Sequence, residues 1–187
     1  MQASGFVLAG GGSTRMGRNK ALLPFHGMTL VEHVAGIVRE ATGSVTLIGD
    51  PRQLGHLGLP VIPDQLAGLG PAGGIETALT TTTTDWNLIA GCDMPGITRD
   101  ILLRLLDRAA SSSADCVAAA ASDGEPEPLC AVYHRRCLPA VDRAVRENRL
   151  KMKNLLAELG AEVMPVDSAA LANVNTPAEW AAFGAKL

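Results

Sequence analysis

The sequence predicts one α/β domain in which helices cover both faces of a mostly parallel sheet. Three observations indicate this three-layer α/β/α arrangement. Short apolar runs alternate with amphipathic helical patterns along the chain, an order typical of parallel sheets. The length of 187 residues suits one domain of ordinary size. No repeat at a fixed period and no linker divides the sequence, so we predict a single domain over 1–187.

Each element is predicted from its own local pattern. Strands are expected where short apolar runs are bounded by turn residues. These runs span 5–9, 44–48, 60–63, 86–90, 115–121, 129–134 and 162–166. Helices are expected where apolar residues recur every three or four positions. These segments are 29–42, a segment that starts after Gly70-Pro71 and runs toward the threonine run at 80–84, 99–110, 137–148 and 152–159, with a last helix opening at 176–177. Gly43 and Thr98 are suited to cap two of these helices.

Composition and charge exclude several classes of function. The net charge is −3 and the charged residues are spread along the chain, so we expect no nucleic-acid binding. The apolar stretch near the N-terminus is too short for a signal peptide, and no run approaches the roughly 18 apolar residues of a membrane span. The four cysteines form no C-x-x-C pair, which favours reduced thiols over zinc or a redox centre. We therefore expect a cytoplasmic protein with no membrane contact.

The segment Gly10–Lys20, directly after the first predicted strand, has the composition of a phosphate-binding loop. Consecutive glycines allow backbone N–H groups to face an anion, and Arg15 and Lys20 add positive charge. The alternative is a tight surface turn with solvated cations. A Walker loop is excluded because Gly17 is followed by Arg18-Asn19 in place of Lys-Ser/Thr.

The dinucleotide fingerprint also fails in this segment. Its third glycine would fall at Arg15, and its helix would have to open at the loop. Pro24 and Gly27 instead predict an irregular chain as far as Thr29. These differences favour a nucleotide-binding loop of another kind.

Two aspartates follow predicted strands and are candidate ligands of the same site. Asp93 comes directly after the fourth strand, where Pro95 restricts the backbone, and Mg²⁺ prefers a few fixed carboxylates of this kind. Asp64 follows the third strand. The alternative for either is a helix-capping or turn aspartate. Because ligands bind beyond the carboxyl ends of strands in open α/β sheets, we expect 10–20, 63–64 and 92–93 to meet.

Five blocks, in the same order as in the family, resemble the molybdenum cofactor guanylyltransferases. They are Leu8-Ala-Gly-Gly11 with Ser13, Arg15-Met-Gly17 and Lys20; Gly70-Pro-Ala-Gly-Gly-Ile75; Cys92-Asp-Met-Pro95; Glu127-Pro-Leu-Cys-Ala-Val-Tyr133; and Asn173-Val-Asn-Thr-Pro177. The resemblance implies a Rossmann-like fold of the nucleotide-diphospho-sugar transferase type. It also implies a nucleotide-binding half at about 1–97 and an acceptor-binding half at about 98–187. The family commonly has aspartate at Asn19 and Leu-Ala at Ala72-Gly73, which leaves fine specificity open.

The resemblance implies transfer of GMP from GTP to the phosphate of molybdopterin or Mo-molybdopterin, with Mg²⁺ as cofactor and pyrophosphate as the second product. Transient contact with other molybdenum cofactor proteins is expected as well. Carried over by position, the nucleotide site would comprise Leu8, Ala9, Gly10, Gly11, Lys20, Asp64 and Asp93. Arg15, Lys20 and Asp93 would be the catalytic residues, Asp93 would bind the metal, and Asn173 and Asn175 would bind the acceptor. Such a reaction depends on positioning and charge neutralisation, without a protein nucleophile.

Four other interpretations stay open from the sequence. Gly10 favours guanine, because related cytidylyltransferases usually have alanine at that position, so a cytidylyltransferase is the first alternative. A nucleotidyltransferase of the same fold acting on a sugar phosphate or polyol phosphate is the second. The third is a nicotinamide-dependent oxidoreductase in which Asp50 reads the ribose. The fourth is a non-catalytic carrier of the cofactor.

Overall fold

The computed structural model describes residues 1–10, 19–66 and 68–174. Its strands are β1 Ala3–Leu8, β2 Pro24–Phe25, β3 Met28–Thr29, β4 Thr46–Ile48, β5 Val61–Ile62, β6 Trp86–Gly91, β7 Cys116–Ala120, β8 Pro126–His134 and β9 Glu162–Pro165. Seven of these form one sheet in the order β5-β4-β1-β6-β8-β7-β9, and β2 pairs with β3 in a separate hairpin. Only β8 runs antiparallel to its neighbours in the described part of the sheet. The prediction of a mostly parallel sheet is confirmed.

Helices lie on both faces of this sheet. They are α1 Leu30–Thr42, α2 Pro51–Leu54, α3 Gly70–Thr81, α4 Arg99–Ser111, α5 Leu138–Arg146 and α6 Met152–Glu158. The apolar side chains of α1 and α4 contribute to one buried core, and those of α3, α5 and α6 contribute to another. The predicted three layers are therefore present. Among the described residues, no helix is both long enough and apolar enough to cross a membrane.

Strand β1 is buried on both sides, as a central parallel strand should be. Its Val7 side chain packs in the core under α1 and α4, whereas Phe6 and Leu8 pack in the core under α3. Successive side chains of a strand point to opposite faces, so an uninterrupted apolar run fills both cores. This places the end of β1, at Leu8, in the centre of the sheet.

The ends of α1 are determined by local sequence. Thr29 Oγ1 accepts a hydrogen bond from Glu32 N, and the Glu32 carboxylate accepts one from Thr29 N at 2.8 Å, which forms a capping box. Gly43 ends the helix in the left-handed region with φ 79°. Thr98 caps α4 through a bond from Ile101 N. The caps predicted at Gly43 and Thr98 are confirmed.

Residues 20–29 are more ordered than the sequence indicates. A 3₁₀ turn at Lys20–Leu22 leads into the β2–β3 hairpin, whose two turn residues, His26 and Gly27, both have positive φ. Such two-residue turns match the twist of paired strands, and His26 is an uncommon residue for the first position. Pro24 and Gly27 therefore mark a short hairpin, where the sequence predicted irregular chain. The helix predicted at Thr176-Pro177 lies outside the described residues.

The first 97 residues contribute the parallel half of the sheet, β5-β4-β1-β6, and the later residues contribute β8-β7-β9. Strand β8 begins at Pro126, three residues before the predicted start at Leu129. The assignment of nucleotide binding to the first half and of acceptor binding to the second stays a prediction.

Candidate active site

The candidate site lies where the order of strands reverses. From β1 the chain passes through α1 to β4 and β5 on one side, and α3 then returns it to β6 on the other side of β1. Leu8 and Gly91 are paired at the ends of β1 and β6, and Cys92 N donates to the Leu8 carbonyl at 3.1 Å. In open α/β sheets ligands bind at this reversal, beyond the carboxyl ends of the strands. Gly10 and Asp93 both lie on that edge.

Lys20 and Asp93 form an ion pair at this edge, although 73 positions separate them in the sequence. Lys20 Nζ lies 2.8 Å from Asp93 Oδ2, and the two side chains are only 14% and 24% exposed. Asn19 begins the 3₁₀ turn that presents Lys20, because its side chain accepts a hydrogen bond from Ala21 N at 3.0 Å. Partial burial reduces screening by salt, so this pair is a strong local electrostatic feature. Lys20 and Asp93, from two of the three segments expected to meet, are therefore in contact.

The loop that carries Asp93 is held from several sides. The Asp93 carbonyl accepts a hydrogen bond from Val174 N at 2.9 Å, and the Pro95 carbonyl lies 3.2 Å from His33 Nε2 on α1. The loop also needs a glycine at its start, because a Cβ on Gly91 would lie 2.7 Å from Asp93 Oδ1. The carboxylate is therefore fixed by its surroundings, as a metal-binding or phosphate-facing group must be.

The first turns of α3 approach the end of β1 closely. A Cβ on Gly74 would lie 2.6 Å from Leu8 Cδ2, so glycine at this position allows the contact. Leu8 and Ala9 are themselves buried, and Gly10 is exposed. If Leu8 and Ala9 contact a nucleotide, they must do so mainly through their backbone. Gly10 has no described atom within 3.7 Å of where its Cβ would lie.

The remaining predicted site residues do not all lie beside Lys20 and Asp93. Asp64 is half-buried beyond the end of β5, two strands from β1, and its Oδ1 accepts a hydrogen bond from Leu66 N at 3.0 Å. This is the turn geometry that the sequence left as its alternative role. Asn173 is exposed and precedes the residue that bonds to Asp93. Gly11, Arg15 and Asn175 lie outside the described residues.

Glu127, which the sequence names only as the first residue of the block 127–133, lies close to this site. Strand β8 contains an irregularity after Glu127, because Ala119 of β7 pairs with Glu127 and the adjacent Ala118 pairs with Ala131. Burial raises the pKa of the Glu127 carboxyl, and the negative charge of Asp93 raises it further. Bulges often redirect side chains beside functional sites. The available signal was the pair of prolines at 126 and 128, which flank Glu127 and interrupt a regular strand.

The cysteines do not take part in the site chemistry. All four are free and buried, and burial raises the pKa of Cys92, Cys130 and Cys137 to about 12. A protonated, buried thiol is a poor nucleophile and a poor metal ligand. Within the described ranges, no group of three or more His, Cys, Asp or Glu side chains could hold a metal ion.

Comparison with known proteins agrees with this arrangement. The model of the MobA-like NTP transferase domain matches residues 5–163. The chain belongs to this family. Its relatives include proteins named "Probable molybdenum cofactor guanylyltransferase" from Flavobacterium johnsoniae and Mycobacterium marinum. The first is 31% identical, over 93% of this chain and 92% of the relative; the second is 37% identical, over 94% and 90%. The resemblance to the molybdenum cofactor guanylyltransferases is confirmed.

Solved structures show the same fold. The molybdopterin-guanine dinucleotide biosynthesis protein A of Archaeoglobus fulgidus superposes with a TM-score of 0.82 at 24% identity, over 98% of this chain and all of that chain. A CMP:2-keto-3-deoxy-manno-octonic acid synthetase complexed with CTP superposes with a TM-score of 0.77 at 15% identity, over the whole of both chains. These likenesses confirm the nucleotide-diphospho-sugar transferase fold.

Membership of the MobA-like family makes the chain a nucleotidyltransferase. The oxidoreductase and carrier interpretations are therefore wrong. The structure also gives Asp50 a different role, because its side chain caps α2 by accepting a hydrogen bond from Arg52 N at 2.9 Å. An aspartate occupied in this way is a structural cap.

Proposed function

We propose that the protein transfers GMP from GTP to the phosphate of molybdopterin, with or without bound molybdenum, and releases pyrophosphate. The observation that carries this proposal is the Lys20–Asp93 pair at the reversal of strand order, in a chain whose relatives bear the guanylyltransferase name. A cation and a carboxylate at this edge are the groups that binding of a metal–nucleotide complex requires.

In this reaction an oxygen of the acceptor phosphate attacks the α-phosphorus of GTP, and the bond to the β-phosphate oxygen breaks. Lys20 lowers the repulsion between the two phosphate groups because its ammonium group is held in the crevice. Gly11 and Arg15 add further contacts to the triphosphate in this proposal. The acceptor phosphate is already ionised at neutral pH, so the step needs no protein nucleophile and no general base.

Asp93 is the residue that would hold Mg²⁺. Its carboxylate is fixed, partly exposed and on the ligand edge of the sheet. Mg²⁺ usually takes one or two protein carboxylates and completes its shell with phosphates and water. When bound, the ion would neutralise negative charge on the triphosphate.

The test is a pyrophosphate-release assay with molybdopterin and each nucleoside triphosphate in turn, with Mg²⁺ present or chelated. We expect release with GTP, loss of release on chelation, and loss in Asp93→Asn by about 100-fold or more, the scale of a displaced catalytic group. The matched control is Asp107→Asn, which changes an exposed carboxylate on α4.

Each other result would contradict a different part of the proposed function. Release with CTP would support the mechanism and contradict the choice of guanine, because the protein would then be a cytidylyltransferase. Release only with sugar or polyol phosphates would show that the acceptor is not molybdopterin. Equal losses in Asp93→Asn and Asp107→Asn, or release that survives chelation, would contradict the roles proposed for Asp93 and Mg²⁺.

A further inference from the structure

The ion pair between Lys20 and Asp93 cannot by itself fix the spacing of these two groups during nucleotidyl transfer. A metal–triphosphate complex that engages both groups would replace the direct contact of 2.8 Å between Lys20 Nζ and Asp93 Oδ2. The two charged groups must still be held in position while the substrate lies between them, because the rate depends on their placement. Their spacing must therefore come from the backbone segments that carry them.

The segment that follows Lys20 is attached to the beginning of α1. Leu30 N, at the first residue of α1, donates a hydrogen bond to the Leu23 carbonyl at 2.9 Å. The residues between these two form the β2–β3 hairpin, whose buried Phe25 packs against the His33 ring of α1 at a centroid distance of 4.5 Å. The start of α1 and the segment that carries Lys20 are therefore one packed unit.

The Asp93 loop, residues 92–98, is attached to the same part of α1 by one hydrogen bond. The Pro95 carbonyl lies 3.2 Å from His33 Nε2. A carbonyl oxygen only accepts hydrogen bonds, so this bond requires the tautomer of His33 with its proton on Nε2. Among the hydrogen bonds between described residues, it is the one that joins the Asp93 loop to α1. The half-buried His33 side chain thus contacts both segments that carry the charged pair.

We propose that His33 is a positioning residue that sets the distance between Lys20 and Asp93 for nucleotidyl transfer. Its ring packs on the unit that carries the lysine, and its Nε2–H holds the loop that carries the carboxylate. This role rests on the proposed function, in which both groups act on one metal–nucleotide complex. Groups that orient a metal-binding residue from behind commonly change metal affinity or activity about tenfold to a hundredfold when they are removed.

The experiment compares two amide variants, His33→Gln and His33→Asn. Both remove the ring from Phe25, but the glutamine amide can reach the position of Nε2, whereas the asparagine amide is one methylene group shorter. We expect His33→Asn to lower kcat for pyrophosphate release about tenfold or more and to leave KM for molybdopterin unchanged. His33→Gln should restore most of kcat because it still donates to the Pro95 carbonyl. A second variant without a donor, His33→Leu, should behave like His33→Asn.

A binding measurement tests the same role without the acceptor. Mn²⁺ takes oxygen ligands as Mg²⁺ does and is paramagnetic, so its affinity in the presence of GTP can be measured by electron paramagnetic resonance. Its dissociation constant should rise about tenfold in His33→Asn and stay unchanged in His33→Gln. The matched control is His26→Asn, which removes another ring that contacts Phe25, at a centroid distance of 4.4 Å, and leaves His33 in place. Asparagine adopts the positive φ of His26 readily, so this control should fold and keep both values.

Equal kcat and equal Mn²⁺ affinity in His33→Asn and His33→Gln would overturn the role of the hydrogen bond, whether both variants stay active or both lose activity. A parallel loss in His26→Asn would overturn it as well, because packing of the hairpin would then explain the effect. Mn²⁺ affinity that depends on a donor at position 33, without pyrophosphate release from GTP and molybdopterin in the unaltered protein, would support the positioning role and contradict the proposed function.

Discussion

Gly10 is a position beside the crevice where the described residues leave room for a methyl group. A Cβ there would have its nearest described neighbours at 3.7 Å and 3.8 Å, which are ordinary contacts. A Cβ on Gly74 or Gly91 would instead come within 2.6 Å or 2.7 Å of Leu8 or Asp93. Alanine at Gly10 therefore changes the space available to a nucleotide without a close contact to any described residue.

This difference gives a direct test of base selection. If the guanine edge occupies the space over Gly10, Gly10→Ala should lower kcat/KM for GTP about tenfold to a hundredfold, the range for one misplaced methyl group in a pocket. The value for CTP should fall less, so the ratio of the two reports on the base. Gly36→Ala is the control, since a Cβ there has no described neighbour within 4 Å. A ratio that does not change in Gly10→Ala would contradict the role of Gly10 in choosing guanine.

Between elements, α1 is connected to the Asp93 loop through one partly buried histidine. His33 packs its ring against Phe25 of the β2–β3 hairpin at a centroid distance of 4.5 Å, and its Nε2 lies 3.2 Å from the Pro95 carbonyl. Burial lowers the pKa of His33 below its ordinary value of 6.5. His33, which favours its neutral form, thereby connects α1 to the β2–β3 hairpin and to the Asp93 loop.

The direction in which stability changes with pH follows from the difference in proton binding between the folded and unfolded states. A histidine whose folded-state pKa is lowered binds fewer protons folded than unfolded, so its full contribution to stability is present above about pH 6.5 and is lost as the pH falls toward the folded-state value. We expect the free energy of urea unfolding to decrease between pH 7 and pH 5. The decrease should be smaller in His33→Gln, which can still donate to Pro95.

The titration of a carboxyl group, Glu32, separates the effect of His33 from general acid unfolding. Hydrogen bonds, chiefly from Thr29, lower the pKa of Glu32 below its ordinary 4.5, so its contribution is lost only as the pH falls below that value. A Glu32→Gln variant should be less stable at neutral pH, should lose less stability as the pH falls below 4.5, and should keep the slope between pH 7 and 5. Identical slopes in the unaltered protein and His33→Gln would exclude His33 as the source.

The same elements show what the sequence could and could not predict. The order of strands and helices followed from local patterns, and the meeting of Lys20 with Asp93 followed from the rule about strand ends. The β2–β3 hairpin was missed because its His-Gly turn is a weak signal. The sequence named Glu127 only within the block 127–133, because its direction depends on a bulge held by Tyr133, and no local pattern encodes that contact between a side chain and the backbone.

In the whole molecule, one sheet separates two cores, and each core contains two of the four cysteines. Cys92 and Cys130 lie in the core under α1 and α4, and Cys116 and Cys137 lie in the core under α3, α5 and α6. The central strands supply side chains to both cores. Helices cannot leave one face without exposing strands that also support the other face, so we expect the described fold to unfold as one cooperative unit.

Chemical labelling of the four thiols can measure unfolding on both faces of the sheet in one experiment. Because burial raises their pKa and blocks access, none should react with N-ethylmaleimide at neutral pH in the folded protein. In increasing urea, peptide mapping by mass spectrometry should show all four labelled with one midpoint, equal to the midpoint measured by circular dichroism. The dichroism curve serves as the control for global unfolding. Labelling of Cys116 and Cys137 at lower urea than Cys92 and Cys130 would show that the layer of α3, α5 and α6 opens separately. That result would contradict a single cooperative domain.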